Sequence, residues 1–247
     1  MPAWGVYNFH FLDTVSEQLL RGLDQLELAV LDDGCISELH RYQIAQGASK
    51  GIYVLYYRES PKYLGKADNV KVRLEQHFKK LVGRQNIDVS MISFKSLLLD
   101  QSMSTAANED TLISLYSRNH PRLWNGKGFG PKDPGRNRDT TEPGEFDRLF
   151  PIRREFLVDN IQDSLTLGQL FKAMKRRLPY VFRYQQLPAA ISSTELDLAG
   201  VPRQAEALLR NAMISFPEGW HAAILSYGMV VYEGTKVYPP GVDVIQS

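Results

Sequence analysis

The stretch GIYVLYYRESPKYLGKA, residues 51–67, decides the fold. Gly51 to Arg58 is dense in β-branched and aromatic side chains and predicts a strand. Ser60-Pro61 predicts a turn and Lys62 to Ala67 a short second strand, so the stretch reads as a partly buried hairpin. Working outward, Asp68 or Asn69 can cap a helix through about Leu81, in which Val70, Leu74, Phe78 and Leu81 form one apolar face. A strand is expected around Val89 to Phe94, then a helix over Thr105 to Arg118. Upstream, Thr14 followed by Glu17 reads as a capping box and predicts an opening helix, after which Gly34 and Gly47 only punctuate. Downstream, residues 125–145 crowd glycines and prolines into a long ordered loop. Helices are expected over 166–177 and 203–213, then a hairpin turning at Glu233-Gly234.

Composition bounds the function. With 43% hydrophobic and 23% charged residues in 247, the chain is an ordinary globular protein. A net charge of +1 favours no partner class, so any nucleic-acid argument rests on local clusters of cations. Cys35 is the sole cysteine, which excludes an internal disulfide and any site built on several thiolates. No basic segment followed by an apolar run opens the sequence, and Ala222 to Tyr232 is too short to span a bilayer. The expectation is a soluble, cytoplasmic protein.

Five features lie in order: Gly51-Ile52-Tyr53, Tyr63-Leu64-Gly65, Arg73 with His77, Glu109 before Leu112-Ile113, and Asn125 after Pro121. Over about residues 49–135 this set resembles the GIY-YIG nuclease superfamily. Residues 123–138, LWNGKGFGPKDPGRNR, resemble the matching segment of the GIY-YIG type II restriction endonucleases that cut CCGCGG. The chain departs from the pattern at Leu64, where isoleucine is usual, and in a longer interval from Glu109 to Asn125. Asn119 competes for the asparagine's place, but Pro121 and the following LWN favour Asn125.

The resemblance implies an α+β fold: a GIY-YIG core of a small antiparallel sheet flanked by helices, residues 49–135. An N-terminal helical arm, 1–48, would precede it. A C-terminal α/β extension, 136–247, would follow for specificity or dimerisation, packed with the core as one domain. It implies Tyr53, Tyr63, Arg73, His77, Glu109 and Asn125 as catalytic residues, and Glu109 as the ligand of Mg2+ (or Mn2+). Such a hard cation keeps several waters, so one carboxylate and a DNA phosphate suffice. Arg73 and His77 share a helix face one turn apart. Arg73 would stabilise charge developing on the phosphate. Tyr53 would take the proton of the attacking water. Forming tyrosinate at neutral pH costs about 4 kcal/mol from a reference pKa of about 10, so a neutral His77 would relay that proton. Tyr63 would bond and pack at the phosphate, and Asn125 would fix the geometry.

Double-stranded DNA is the implied substrate, with Lys62, Lys66, Lys79, Lys80, Arg84, Arg136 and Arg138 as phosphate contacts; Lys71 and the run Lys175 to Arg177 add cations nearby. A restriction enzyme would work as a homodimer at a palindromic, GC-rich site, beside a cognate DNA methyltransferase and away from any membrane. Two rivals stand: a repair or homing endonuclease of the same superfamily, and a DNA-binding module that has lost catalysis. Each feature alone has a plainer reading. GIYVLYY suits any buried strand, Glu109 any first helical turn, and Asn125-Gly126 any turn. Their order within one segment favours the nuclease.

Overall fold

The computed structural model describes residues 4, 10–130, 133 and 135–247, with the backbone alone for Thr105. It divides into two compact units. One comprises the chain up to Phe78 together with Asp88–Gly126, the other Lys79–Ile87 with Lys127–Ser247. Helices and antiparallel strands mix in both, as the α+β expectation requires.

The first unit opens with α1 (Phe11–Asp24). The Thr14–Glu17 capping box does not start it: the helix begins a turn earlier, and the Thr14 hydroxyl donates to the His10 carbonyl at 3.1 Å. A two-residue strand β1 (Ala29–Val30) follows, then α2 (Asp33–Gln46), a helix that the glycine punctuation had hidden. Asp32 caps its start by accepting from the Cys35 N–H, and Gly47 ends it in the left-handed region at φ 61°. The hairpin is β2 (Gly51–Tyr57) and β3 (Ser60–Ala67). Its turn is Arg58-Glu59, both at positive φ, and not Ser60-Pro61, which already belong to the strand. Pro61 is tolerated because β3 is an edge strand.

Asn69 caps α3 (Val70–Val82), its side chain accepting from the Val72 N–H at 3.2 Å. The division between units falls inside this helix, after Phe78. Strand β4 (Ile92–Leu98) completes an antiparallel sheet in the order β1-β4-β2-β3. The helix expected over 105–118 is two helices, α4 (Gln101–Ala106) and α5 (Glu109–Asn119), broken where Asn108 caps the second. Ile52, Val54, Tyr56 and Leu64 on one sheet face form a core with Val15, Leu19 and Leu23 of α1 and Leu112 and Tyr116 of α5.

The second unit holds α6 (Glu145–Leu149), β5 (Ser164–Thr166), α7 (Leu167–Arg177) and β6 (Val181–Tyr184). It continues with α8 (Ala189–Ser192), β7 (Glu195–Asp197), α9 (Ala205–Met213), β8 (Trp220–Leu225), β9 (Gly228–Glu233) and β10 (Asp243–Gln246). Its sheet runs β10-β8-β9-β6, with β6 parallel to β9, and β5 pairs with β7 as a separate ribbon. The β8–β9 hairpin turns at Ser226-Tyr227, because Glu233-Gly234 lies at the far end of β9. Leu170, Phe171 and Met174 of α7 and Leu208 and Leu209 of α9 form its core with Ala222, Ile224, Met229 and Val231. Among the described residues no helix is long and apolar enough to cross a membrane.

Buried charge is concentrated in this unit. Asp147, 1% exposed, pairs with the equally buried Arg84 at 3.0 Å and with Arg138 at 3.3 Å. Lys80 donates to the carbonyls of Gly130 at 2.6 Å and Gly128 at 3.3 Å, and burial, with the nearby Arg84, pulls its pKa down to about 7. Two predictions follow from this cluster. Asp147→Ala strands Arg84 without its counter-charge and should destabilise the unit by about 3–5 kcal/mol in denaturant unfolding, far more than Arg138→Ala. Because the folded chain releases the Lys80 proton near pH 7 and the unfolded chain only near 10.5, the unfolded state binds more protons in between. Stability should therefore climb between about pH 7 and about pH 10, and this part of the slope should vanish in Lys80→Met.

Candidate active site

All six residues singled out as catalytic lie in the first unit. Tyr53 sits on β2, the strand flanked on both sides, where it pairs with Gly65 of β3 and Ser96 of β4. Its ring crosses Gly65: a Cβ there would stand 2.4 Å from the Tyr53 hydroxyl and 3.0 Å from Cε1 of Tyr63. Only glycine leaves that space. Gly51 is equally constrained, since a Cβ would meet the Leu97 carbonyl oxygen at 2.4 Å and Val70 Cγ2 at 2.9 Å.

The Tyr53 hydroxyl is 2.8 Å from Nε2 of His77, and both residues are buried. The Tyr63 ring lies 5.0 Å from the His77 ring and 6.1 Å from that of Tyr53, centroid to centroid, and is half-buried. Burial pushes the Tyr53 pKa well above the ordinary tyrosine range, Tyr63 and Glu109 add to the rise, and Arg73 opposes it. Tyr63 is raised too, by burial first and by Glu109, again against Arg73. Both hydroxyls thus feel one cation and one carboxylate. Arg73 stands one turn before His77 on α3 and is half-buried.

The outer edge of β3 positions the remaining two residues. An edge strand carries unpaired backbone groups, and here side chains take them. The Leu64 N–H donates to Asn125 Oδ1 at 3.0 Å, and Asn125 Nδ2 donates to the Leu64 carbonyl at 2.7 Å. The Trp124 N–H donates to the Lys62 carbonyl. Two residues further along, the Lys66 N–H donates to Glu109 Oε1 at 3.2 Å. Glu109 is the first residue of α5 and is exposed, so its carboxylate has access to solvent and to the positive end of the helix dipole. Asn119, the competing asparagine, ends α5 exposed to solvent.

Among the described residues no group of three or more His, Cys, Asp or Glu side chains could enclose a metal. The donor available is the Glu109 carboxylate, a hard oxygen ligand open to water. That suits a cation which keeps most of its hydration and shares a substrate phosphate.

The expected phosphate contacts fare unevenly. Lys62 is half-buried on β3. Lys66 lies on the same strand, but its ammonium donates to the carbonyls of Ser104 at 2.5 Å and Ala107 at 2.8 Å. The other five belong to the second unit. Lys79 is exposed, and Arg136, also exposed, stacks on the Tyr232 ring at 4.3 Å. Arg138 is half-buried against Asp147. Arg84 corrects the expectation: 1% exposed, paired with Asp147 and donating to the carbonyls of Phe150 and Ser226, it is a structural cation that no phosphate can reach. Lys80 is likewise engaged with the glycine-rich segment.

Sequence reasoning missed the Lys66 amide as Glu109's partner, for which no pattern exists, because a backbone donor is the same in every residue. It also missed Asp139, which accepts from Tyr227 at 2.6 Å, Tyr232 at 2.5 Å and Arg183 at 2.5 Å and so ties the segment after the glycine-rich stretch to the second sheet.

No curated protein matches the chain. Residues 49–120 match the family model described as the GIY-YIG catalytic domain. That span, less than half of the chain, holds Tyr53, Tyr63, Arg73, His77 and Glu109 and stops short of Asn125; the match supports a nuclease of the GIY-YIG superfamily.

Proposed function

We propose that this protein is a type II restriction endonuclease, hydrolysing DNA phosphodiesters with Mg2+ or Mn2+ as a homodimer at a palindromic, GC-rich site. The observation that carries the reading is the meeting, in one unit, of a buried tyrosine–histidine pair, an arginine one turn away and an exposed carboxylate. A repair or homing enzyme would share this chemistry. The absence of any low-complexity linker in the sequence favours the restriction reading. The same reading gives the chain a DNA methyltransferase as its functional counterpart.

Glu109 would hold the cation, which when bound neutralises charge on the phosphate and the leaving oxygen. Arg73 would meet the phosphate with its planar donors. With its pKa raised by burial, Tyr53 does not rest as tyrosinate. Its proton must therefore pass to His77 Nε2 as the hydroxyl receives one from water, which requires the neutral tautomer with Nε2 as acceptor. Tyr63 is the more exposed of the two residues and is the alternative contact to water. Asn125 holds Leu64 and, through it, the register of Tyr63 and Gly65.

Cleavage of plasmid DNA with divalent metal, followed by sequencing of the fragment ends, tests the activity. Discrete fragments are expected; random nicking would indicate a repair enzyme, and no cutting would refute the nuclease reading. Glu109→Gln should abolish cleavage while DNA binding persists in gel shifts. Arg73→Ala should lose about a hundred- to thousandfold in rate, with no rescue by Arg73→Lys, which lacks the planar donors. Tyr53→Phe should keep fold and DNA affinity but lose about a hundred- to ten-thousandfold in turnover. Near-normal cutting by Tyr53→Phe, together with a dead Tyr63→Phe, would hand the role of base to Tyr63.

A further inference from the structure

Glu109 is the one exposed residue of the six motif positions, and a surface glutamate on the first turn of a helix has many rotamers. Its placement depends on where α5 begins. That point is the break between α4 and α5 at Ala107-Asn108, and one side chain from a different element grips it. The Lys66 ammonium donates to the carbonyl of Ser104, inside the last turn of α4, and to that of Ala107, the residue after it. Neither contact is a charge pair with a carboxylate. Carbonyls at the end of a helix lack intrahelical donors and carry the negative end of the helix dipole, so a lysine is the complementary group. The same residue's backbone N–H donates to Glu109 Oε1 at 3.2 Å. Lys66 therefore holds the metal-ligand candidate twice: directly by its amide, and indirectly by fixing the turn from which Glu109 projects. Ser104 and Ala107 are buried and Lys66 is half-buried, so the grip is partly shielded from solvent.

We infer that Lys66 is a positioning residue for the Glu109 carboxylate and that its ammonium makes no contact with DNA. The inference rests on the nuclease reading above and goes beyond it by removing Lys66 from the phosphate contacts. Groups that orient a metal ligand typically change metal affinity about ten- to hundredfold when removed. A phosphate contact behaves differently: its loss weakens DNA binding without metal and lowers the salt slope by about one.

The two roles separate in one experiment. In a Tyr53→Phe, Tyr63→Phe background, shown by gel to leave the DNA intact over the titration, Mn2+ is titrated by calorimetry into the complex with a plasmid fragment that the wild type cuts. Lys66→Met should raise the Mn2+ dissociation constant about ten- to hundredfold, with metal-free DNA affinity and its salt slope unchanged. Adding Lys66→Met to Glu109→Gln should have no further effect on Mn2+, because the two act through one carboxylate. An Mn2+ constant within about twofold of the parent, or a loss of metal-free DNA affinity with a lower salt slope, overturns the inference. Should Lys66→Met fold poorly by circular dichroism, Lys66→Arg serves instead: it keeps the charge, and a smaller rise in the Mn2+ constant is expected. A wild type that cuts no DNA removes the nuclease reading and this inference together. Normal cutting with a null Mn2+ result removes this inference alone.

Discussion

A buried hydroxyl sets the terms for the first unit. Tyr53 is 1% exposed, and a phenol hydroxyl taken out of water is costly unless it finds a hydrogen-bond partner. Its partner is His77, and His77 reaches it only if α3 lies close against β2. That approach in turn requires Gly51, whose missing side chain makes room for Val70 at the start of α3. It also requires Gly65, whose missing side chain makes room for the Tyr53 ring itself. The Val70 N–H donates to the Ser49 carbonyl, which pins the start of the helix to the approach of β2. Gly51, Gly65, Tyr53 and Tyr63 are thus parts of one steric arrangement, in which a side chain at either glycine would collide with its neighbours.

The second unit solves a different problem, the burial of ions. Asp139 and Asp147 are both about as buried as any core leucine, yet each is surrounded by donors. Such arrangements contribute little net stability compared with an apolar replacement, but removing one partner leaves an uncompensated buried charge. The acceptor set of Asp139 links Arg183 on β6, Tyr227 beside the β8–β9 turn and Tyr232 on β9. The single 3-10 turn Arg136–Arg138 is tied to that sheet by the carboxylate that follows it.

Much of this was legible in the sequence, and the exceptions share a cause. Residues 51–67 gave the hairpin, and Asn69 gave the start of α3, because alternation and capping are local. Local signals misled where a second local signal competed. Ser60-Pro61 has turn chemistry, but the edge position of β3 tolerates proline, and the chain turns instead through Arg58-Glu59. Asn108 out-competed the helix pattern of 105–118 by capping a new start. Gly34 looked like punctuation, whereas Asp32 had already begun α2. For the site, residue types and order identified which side chains to gather. The fates of Lys66, Lys80 and Arg84 were not legible, since a cation's partner is set by tertiary structure: two bind backbone carbonyls, and the third an aspartate distant in sequence.

The occupied edge of β3 has a consequence for self-association. A sheet grows by recruiting strands from other chains along any edge whose amides and carbonyls are open. On the β3 side, Asn125, Glu109 and the Trp124 amide already fill those groups. On the opposite side, the two-residue β1 covers Ser93 and Phe94 of β4. The β3 edge is therefore guarded against strand addition by the same contacts that hold its polar residues. A strand added along β3 would have to displace the very contacts that position Asn125 and Glu109.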